Sequence, residues 1–158
     1  MQPEDLKTVV VTLGLLAEIE GKLTGLYREC GKATGDANYW NAIAVQETEH
    51  ARNLKEMARL IRETNGTGFE KSRDFPAGAL RSFAQYIDDS LGHVLNGNRK
   101  GIELYQLART IEKAVLDQRY PDIIRTDNQD YNRLMERTIR ETEQHLKMLE
   151  ERIAKFAN

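Results

Sequence analysis

The chain has 158 residues and a net charge of −2 from 23 basic and 25 acidic side chains, which fits one domain, 1–158, with a core of its own. Its single cysteine, Cys30, excludes a disulfide framework and a four-thiolate metal site, and it fits a reducing compartment. The balanced charge gives nucleic-acid binding no electrostatic support. The longest mostly apolar run, 9–17, is too short to span a bilayer. We therefore expect a soluble cytoplasmic protein with neither nucleic-acid nor membrane partners.

The first half of the chain predicts two long helices joined by a short turn. Pro3 followed by two acidic residues is typical of a helix start, and an apolar stripe of helical period continues to about Gly31. The glycines in 31–35 predict a turn. Asp36 then predicts the N-cap of a second helix, which we expect to end at 65–66, where Asn is followed by Gly.

The second half predicts a long connection and two further helices. Residues 66–96 form the connection, and it contains a short amphipathic helix of its own at about 79–95. A third main helix is expected from about Gly97 to Arg119, and a fourth from near Asp127 or Asp130 almost to the end of the chain. No strand-like alternation is apparent. The layout predicts an all-α fold, a four-helix bundle with a long crossover between its second and third helices.

Five titratable side chains lie on the apolar stripes of these helices, where solvated residues are not expected. A helix advances about 100° per residue, and by that count the inward-facing set is Glu20, Glu47, His50, Glu112 and His145. Neighbouring glutamates on the same helices point to solvent. Buried carboxylates are rare unless their charge is compensated, so the five side chains require an explanation.

A pair of divalent metal ions between the helices would compensate these charges. Carboxylate oxygens and imidazole nitrogens suit iron or manganese. Glu47 and His50 are three residues apart, the spacing that places two ligands on one helix face in di-iron carboxylate bundles. Taken one at a time, an inward glutamate is more often paired with a basic side chain, and an inward histidine with a carbonyl. One shared site accounts for all five residues on four helices.

These patterns resemble the ferritin-like superfamily, and most closely its rubrerythrin-like branch, over nearly the whole chain. The resemblance rests on four motifs, namely Glu20 seven residues before Tyr27, Glu47-x-x-His50 with Ala51 and Leu54, Ala108-x-x-x-Glu112-Lys113-Ala114, and His145-Leu146 with Leu149. Members of that family place a di-iron centre between two antiparallel helix pairs joined by a long crossover. They use it for ferroxidase, peroxidase or oxygen chemistry.

The resemblance implies a role for each inward residue. Two iron ions are the implied cofactor, with manganese or zinc as alternatives. Their ligands would be Glu20 and His50 on one metal, Glu112 and His145 on the other, and Glu47 between the two. Tyr27 would hydrogen-bond a ligand or take part in redox chemistry, with plain core packing as the alternative. A small oxidant such as peroxide or oxygen, or ferrous iron, would be the substrate, and a homodimer is expected.

The chain departs from the family pattern at Thr142, where a bridging glutamate is expected three residues before the last histidine. A neutral hydroxyl cannot bridge two metals as a carboxylate does. Glu141 lies four residues before His145 and about 40° from it around the helix, so it is the candidate sixth ligand. It sits at the edge of the stripe, and a π-bulge would be needed to turn it inward.

Two alternatives follow from these departures. The substitution at Thr142 favours a bundle with one metal or none, which would act by binding, sensing or interaction with a partner. A mononuclear site whose open position faces the Thr142 hydroxyl is the other alternative. Rubrerythrins proper also carry a four-cysteine domain that delivers electrons. Since the sequence contains one cysteine, we expect a separate protein to donate electrons.

Overall fold

The computed structural model describes residues 1–157, which fold into five α-helices, one short 3₁₀ helix and two short strands. In chain order these are α1 (Pro3–Thr34), α2 (Ala37–Glu63), β1 (Phe69–Lys71), α3 (Ala77–Leu95), α4 (Ile102–Asp117), the 3₁₀ helix (Tyr120–Ile123), β2 (Ile124–Thr126) and α5 (Gln129–Phe156). The predominantly helical fold confirms the predicted all-α class.

The turn between α1 and α2 is shorter than the sequence predicted. Gly31 lies within α1, and the chain reverses at Gly35, whose φ of 72° is a left-handed conformation that glycine adopts without strain. A Cβ on Gly31 would lie 3.1 Å from the Cβ of Trp40. The predicted start of the turn at Gly31 is therefore wrong, because Gly31 serves the close approach of α1 and α2, while the reversal itself falls at Gly35. Asp36 precedes α2 as predicted, but its side chain makes no capping hydrogen bond.

The helices pack as two antiparallel pairs. Along α1 and α2, Tyr27 contacts Trp40 and Thr24 contacts Thr48, so residue numbers fall on one helix as they rise on the other. The same relation holds between α4 and α5, where Tyr105 contacts Phe156 and Glu112 contacts His145, and α2 also packs against α5. Helix α3 packs on α1, where Lys22 pairs with Asp88 at 2.8 Å. The buried core lies between these helices and includes most of the predicted apolar stripes.

The predicted ends of the later helices shift by a few residues. Helix α3 begins at Ala77, two residues before its predicted start. Helix α4 begins at Ile102 instead of Gly97, because Gly97 and Gly101 both have positive φ, at 69° and 53°, and neither conformation can continue a right-handed helix. The side chain of Asn128 accepts a hydrogen bond from the Tyr131 N–H at 2.9 Å, and this cap starts α5 between the two predicted aspartates.

The two strands were not predicted. They pair antiparallel, with Phe69 opposite Thr126 and Lys71 opposite Ile124. Each has three residues, which is too few for the period-2 alternation that identifies a strand in a sequence. The ribbon connects the segment after α2 to the segment before α5, and the Phe69 ring packs against Tyr131 at 5.5 Å.

The single cysteine of the sequence, Cys30, lies on α1. Cys30 is buried in the core, and burial raises the pKa of its thiol to about 12, so it is a packing residue at neutral pH.

Within residues 1–157, no helix combines the length and the apolar composition needed to cross a bilayer.

Candidate metal centre

The five inward side chains predicted from the helix stripes are brought together in the core. Each is at most 2% exposed, and they come from α1, α2, α4 and α5. They form two groups of three, in each of which the potential ligand atoms all lie within 4.8 Å of one another. The groups are Glu20, Glu47 and His50, and Glu47, Glu112 and His145.

The first group joins α1 and α2. His50 Nδ1 lies 3.0 Å from Glu47 Oε2 and 3.8 Å from Glu20 Oε2. The Glu47 and His50 side chains meet because residues three apart lie on one helix face. Glu20 faces them because α1 packs against this face of α2. The three donor atoms therefore point toward one small volume between the two helices.

The second group joins α2 to α4 and α5. His145 Nδ1 lies 2.8 Å from Glu47 Oε1 and 3.6 Å from Glu112 Oε2. The two oxygens of Glu47 thus serve different groups, Oε2 the first and Oε1 the second. A carboxylate between two sets of donors occupies the position of a bridge.

The outer nitrogen of each imidazole is held by an oxygen acceptor. His50 Nε2 lies 3.0 Å from Glu141 Oε2, and His145 Nε2 lies 2.5 Å from Gln46 Oε1. These contacts fix each ring so that Nδ1 faces the centre of the cluster. Gln46 was not predicted. Its position four residues before His50, on the side of α2 that meets α5, was the available signal.

Glu141 lies outside both groups of donor atoms. Its other carboxylate oxygen, Oε1, accepts a hydrogen bond from Arg137 Nε at 2.9 Å. Helix α5 is a continuous α-helix from Gln129 to Phe156, so the π-bulge that would turn Glu141 inward is absent from it. The carboxylate reaches the cluster through His50 instead, on the side of the ring away from Glu47.

Thr142, which takes the position of the expected glutamate, is buried in α5. Its hydroxyl donates a hydrogen bond to the Thr138 carbonyl one turn earlier, at 3.0 Å. This is the common way for a helical threonine to satisfy its donor within its own helix. Thr142 therefore supplies neither charge nor a proton donor to the cluster.

Tyr27 touches the second group directly. Its hydroxyl donates a hydrogen bond to Glu112 Oε1 at 2.5 Å, and the side chain is fully buried. Burial and the neighbouring Glu112 carboxylate hold the pKa of Tyr27 well above its usual value. The phenol therefore remains protonated at neutral pH and keeps the Glu112 carboxylate oriented.

Without a metal, the cluster shares protons among its members. Burial and the neighbouring Glu47 raise the pKa of Glu20 to about 8. Burial lowers the pKa of each histidine, but the adjacent carboxylates outweigh burial and raise it to about 11 at His50 and about 9 at His145. Two imidazolium ions would then offset buried negative charge, and protonation would remove the charge of Glu20 itself.

The donor atoms also fit a metal ion. Glu47 Oε1 and His145 Nδ1 are buried and form an ion pair at 2.8 Å whose geometry is not that of a hydrogen bond. A metal ion bound by both atoms would replace the proton that this pair needs. Oxygen and imidazole ligands suit iron, manganese or zinc. The two groups could therefore each hold a metal ion, with Glu47 common to both.

No protein-family model, curated protein or solved structure matches the chain. The fold and the site define its class, which is a helical protein with a buried cluster of glutamates and histidines able to hold metal.

Proposed function

We propose that this chain is a ferritin-like dimetal carboxylate protein of the rubrerythrin-like type. It binds two iron ions and acts as an oxidoreductase toward peroxide or oxygen, or toward ferrous iron. The observation that carries the proposal is the position of Glu47, whose two oxygens lie 3.0 Å and 2.8 Å from the inward nitrogens of two different histidines.

The helix arrangement supports the same proposal. Two antiparallel helix pairs, with α3 in the long connection between them, match the layout of a bundle with one crossover. Di-iron bundles draw their ligands from all four main helices, and here those helices are α1, α2, α4 and α5. Manganese and zinc remain alternatives, because the same ligands accept them.

In the reaction, bound iron would supply Lewis acidity and one-electron chemistry. The other roles belong to side chains of the protein. Glu20 would hold a metal ion in the first group, Glu112 would hold one in the second group, and Glu47 belongs to both groups. Glu141 and Gln46 orient the histidines from outside. The surrounding apolar core excludes water, which strengthens each of these electrostatic contacts. The Tyr27 hydroxyl holds a proton within hydrogen-bond reach of Glu112.

Metal content tests the proposal. Protein purified without a metal-affinity tag would be loaded anaerobically with ferrous iron, desalted and analysed by plasma emission. Two irons per chain are expected, one for each group. Glu20→Gln should lower that value by removing a ligand of the first group. Glu18→Gln is the matched control, because Glu18 lies on the same helix with its side chain 57% exposed.

Peroxide consumption tests the chemistry. Iron-loaded protein should reduce peroxide when a one-electron donor is supplied. Glu47→Gln should abolish that activity, because the amide keeps only one of the two oxygens that face the two groups. We propose that a separate donor protein supplies the electrons in the cell. A chain that takes up no iron, with a melting temperature unchanged by ferrous iron, would overturn the proposal. Cytoplasmic location and a homodimer stay predictions.

A single-metal protein is the second candidate, and one observation favours it. Thr142 donates its hydrogen bond to its own helix and Glu141 holds His50 from outside, so five ligands are present where six are expected. One metal per chain, without peroxide turnover, would identify a binding or sensor protein. The same metal analysis separates the two candidates.

A further inference from the structure

A continuous series of aromatic rings leads away from the cluster. Tyr27 is hydrogen-bonded to Glu112, and its ring centroid lies 5.7 Å from that of Trp40. Trp40 lies 4.8 Å from Tyr105 and 5.7 Å from Tyr39, and these two tyrosines are 5.6 Å apart. Each separation is within the range of rings in direct contact.

The series starts in the core and ends near the surface. Tyr27 and Trp40 are fully buried, and Tyr105 is 2% exposed. Tyr39 is only half-buried. The Arg152 guanidinium lies over the outer two rings, 5.4 Å from the centroid of Tyr39 and 5.8 Å from that of Tyr105. The outer end is therefore beside the turn that joins α1 to α2.

We propose that Tyr27, Trp40 and Tyr105 carry electrons, one at a time, from a donor at the surface near Tyr39 and Arg152 to the buried cluster. This inference rests on the proposed function and names the route by which an external donor reaches that site. Tyrosine and tryptophan are the most readily oxidised aromatic side chains. Transfer between rings falls steeply with distance, so rings in contact form the favoured path.

Each of the two tyrosines in the path has a carboxylate within hydrogen-bond reach. Tyr27 donates to Glu112 Oε1 at 2.5 Å, and Tyr105 donates at 3.2 Å to Asp36 Oδ2, which is also ion-paired with Arg152. A tyrosine that loses an electron becomes a strong acid, and oxidising it without loss of the phenolic proton is costly. A base within hydrogen-bond reach removes this cost by accepting the phenolic proton.

The transfer balances step by step. After peroxide has taken two electrons from the site and become water, Tyr27 gives one electron to the oxidised site and its proton to Glu112. Trp40 returns an electron to Tyr27, and the proton goes back from Glu112. Tyr105 reduces Trp40 while its own proton moves to Asp36. The surface donor then reduces Tyr105, which recovers that proton.

Two such transfers return to the site the two electrons that one peroxide took, so that one peroxide and two protons from solvent become two water molecules and two one-electron donors are oxidised. Trp40 has a different part from the tyrosines, because its indole Nε1 is buried without a hydrogen-bond partner. With no base at Nε1, it passes an electron while keeping its proton.

The path can be tested in the metal-free protein, independently of the proposed function. A ruthenium tris-bipyridine photo-oxidant, flashed with a sacrificial electron acceptor, would oxidise the outer tyrosines, and electron paramagnetic resonance would record the radicals. Tyr27→Phe is expected to remove part of the tyrosyl signal of the wild type. It should remove nothing in the Trp40→Phe background, where the path is already broken. Tyr131→Phe, a buried tyrosine packed on Phe69 outside the path, should leave the signal unchanged.

A second variant interrupts the path without changing Trp40, in case Trp40→Phe folds poorly. The double variant Tyr39→Phe/Tyr105→Phe keeps every ring and removes only two hydroxyls, and it should make the signal equally insensitive to Tyr27→Phe. If Tyr27→Phe reduces the tyrosyl signal as much in the two blocked variants as in the wild type, or does not reduce it in the wild type, the rings do not carry electrons along this path.

The iron-loaded protein provides the second readout. After peroxide has oxidised the site, re-reduction by a soluble one-electron donor should slow by about an order of magnitude in the double variant, with iron content unchanged. Unchanged re-reduction would overturn the route. A loaded protein that does not react with peroxide would refute the proposed function, while the metal-free experiment would still decide whether the rings conduct.

Discussion

Removal of Glu141 tests whether this carboxylate acts through His50 or binds metal itself. In Glu141→Ala, His50 Nε2 loses its partner at 3.0 Å in a position where the imidazole is fully buried. The second contact of Glu141, with Arg137, is lost too, but that guanidinium side chain is 51% exposed, and exposed ion pairs contribute little. The effect should therefore arise almost wholly at His50.

The expected loss can be estimated from this contact. Removing the outer partner of a metal-bound histidine lowers metal affinity by about 10–100-fold, or about 1.4–2.8 kcal/mol at 1.4 kcal/mol for each factor of ten. Only the first group contains His50, so only one of two binding steps should weaken. Glu141→Gln should fall between wild type and Glu141→Ala, since its amide oxygen can still accept from Nε2.

The assay is an anaerobic ferrous titration against a competing chelator, which resolves two binding steps. Glu143→Ala is the matched control, because Glu143 is exposed on the same helix two residues away. Loss of one whole equivalent of iron in Glu141→Ala would show that Glu141 is a ligand. Equal weakening of both steps, or no weakening, would also refute the reasoning from His50.

Three further predictions concern stability. Gly31→Ala should destabilise the fold by about 1–3 kcal/mol, because its Cβ would lie 3.1 Å from that of buried Trp40. Gly21→Ala has open space around its Cβ and should stabilise the fold by about 0.5–1 kcal/mol. Urea midpoints that move in the same direction in both variants would contradict this prediction. In the metal-free protein the pKa values of Glu20 and His145 are raised to about 8 and about 9, so the folded chain binds more protons than the unfolded one. Stability that is present in acid should therefore be lost as the pH rises from about 5 to about 9. Calorimetric midpoints that rise with pH over this window would contradict this prediction. Ferrous iron at about 1,000 times its Kd should add about 4.1 kcal/mol for a single site, and an unchanged midpoint would count against iron binding.

Much of the helical framework could be predicted because its signals are local. Apolar residues at helical spacing predicted the main helices and the helix in the long connection, and the same count placed Glu20, Glu47, His50, Glu112 and His145 on inward faces. Burial of all five confirms that placement. A residue's angular position on a helix depends only on its number along the chain, so the sequence was sufficient.

Other features could not be predicted because they depend on which elements meet. Each strand is too short to show a period, and the pairing of 69–71 with 124–126 joins segments more than fifty residues apart. Gly31 appeared to mark a turn, although its role is to admit Trp40 from the next helix. In both cases the partner across the contact decides the structure, and a local pattern does not contain it.

The candidate site divides along the same line. The sequence by itself determined the residue types and the faces that carry them, and hence that carboxylates and imidazoles would enter the core. Only the tertiary structure decided that each oxygen of Glu47 faces a different histidine, that Glu141 holds His50 from outside, and that Tyr27 meets Glu112. These relations depend on how the helices are spaced and rotated against one another, which packing of the whole core sets.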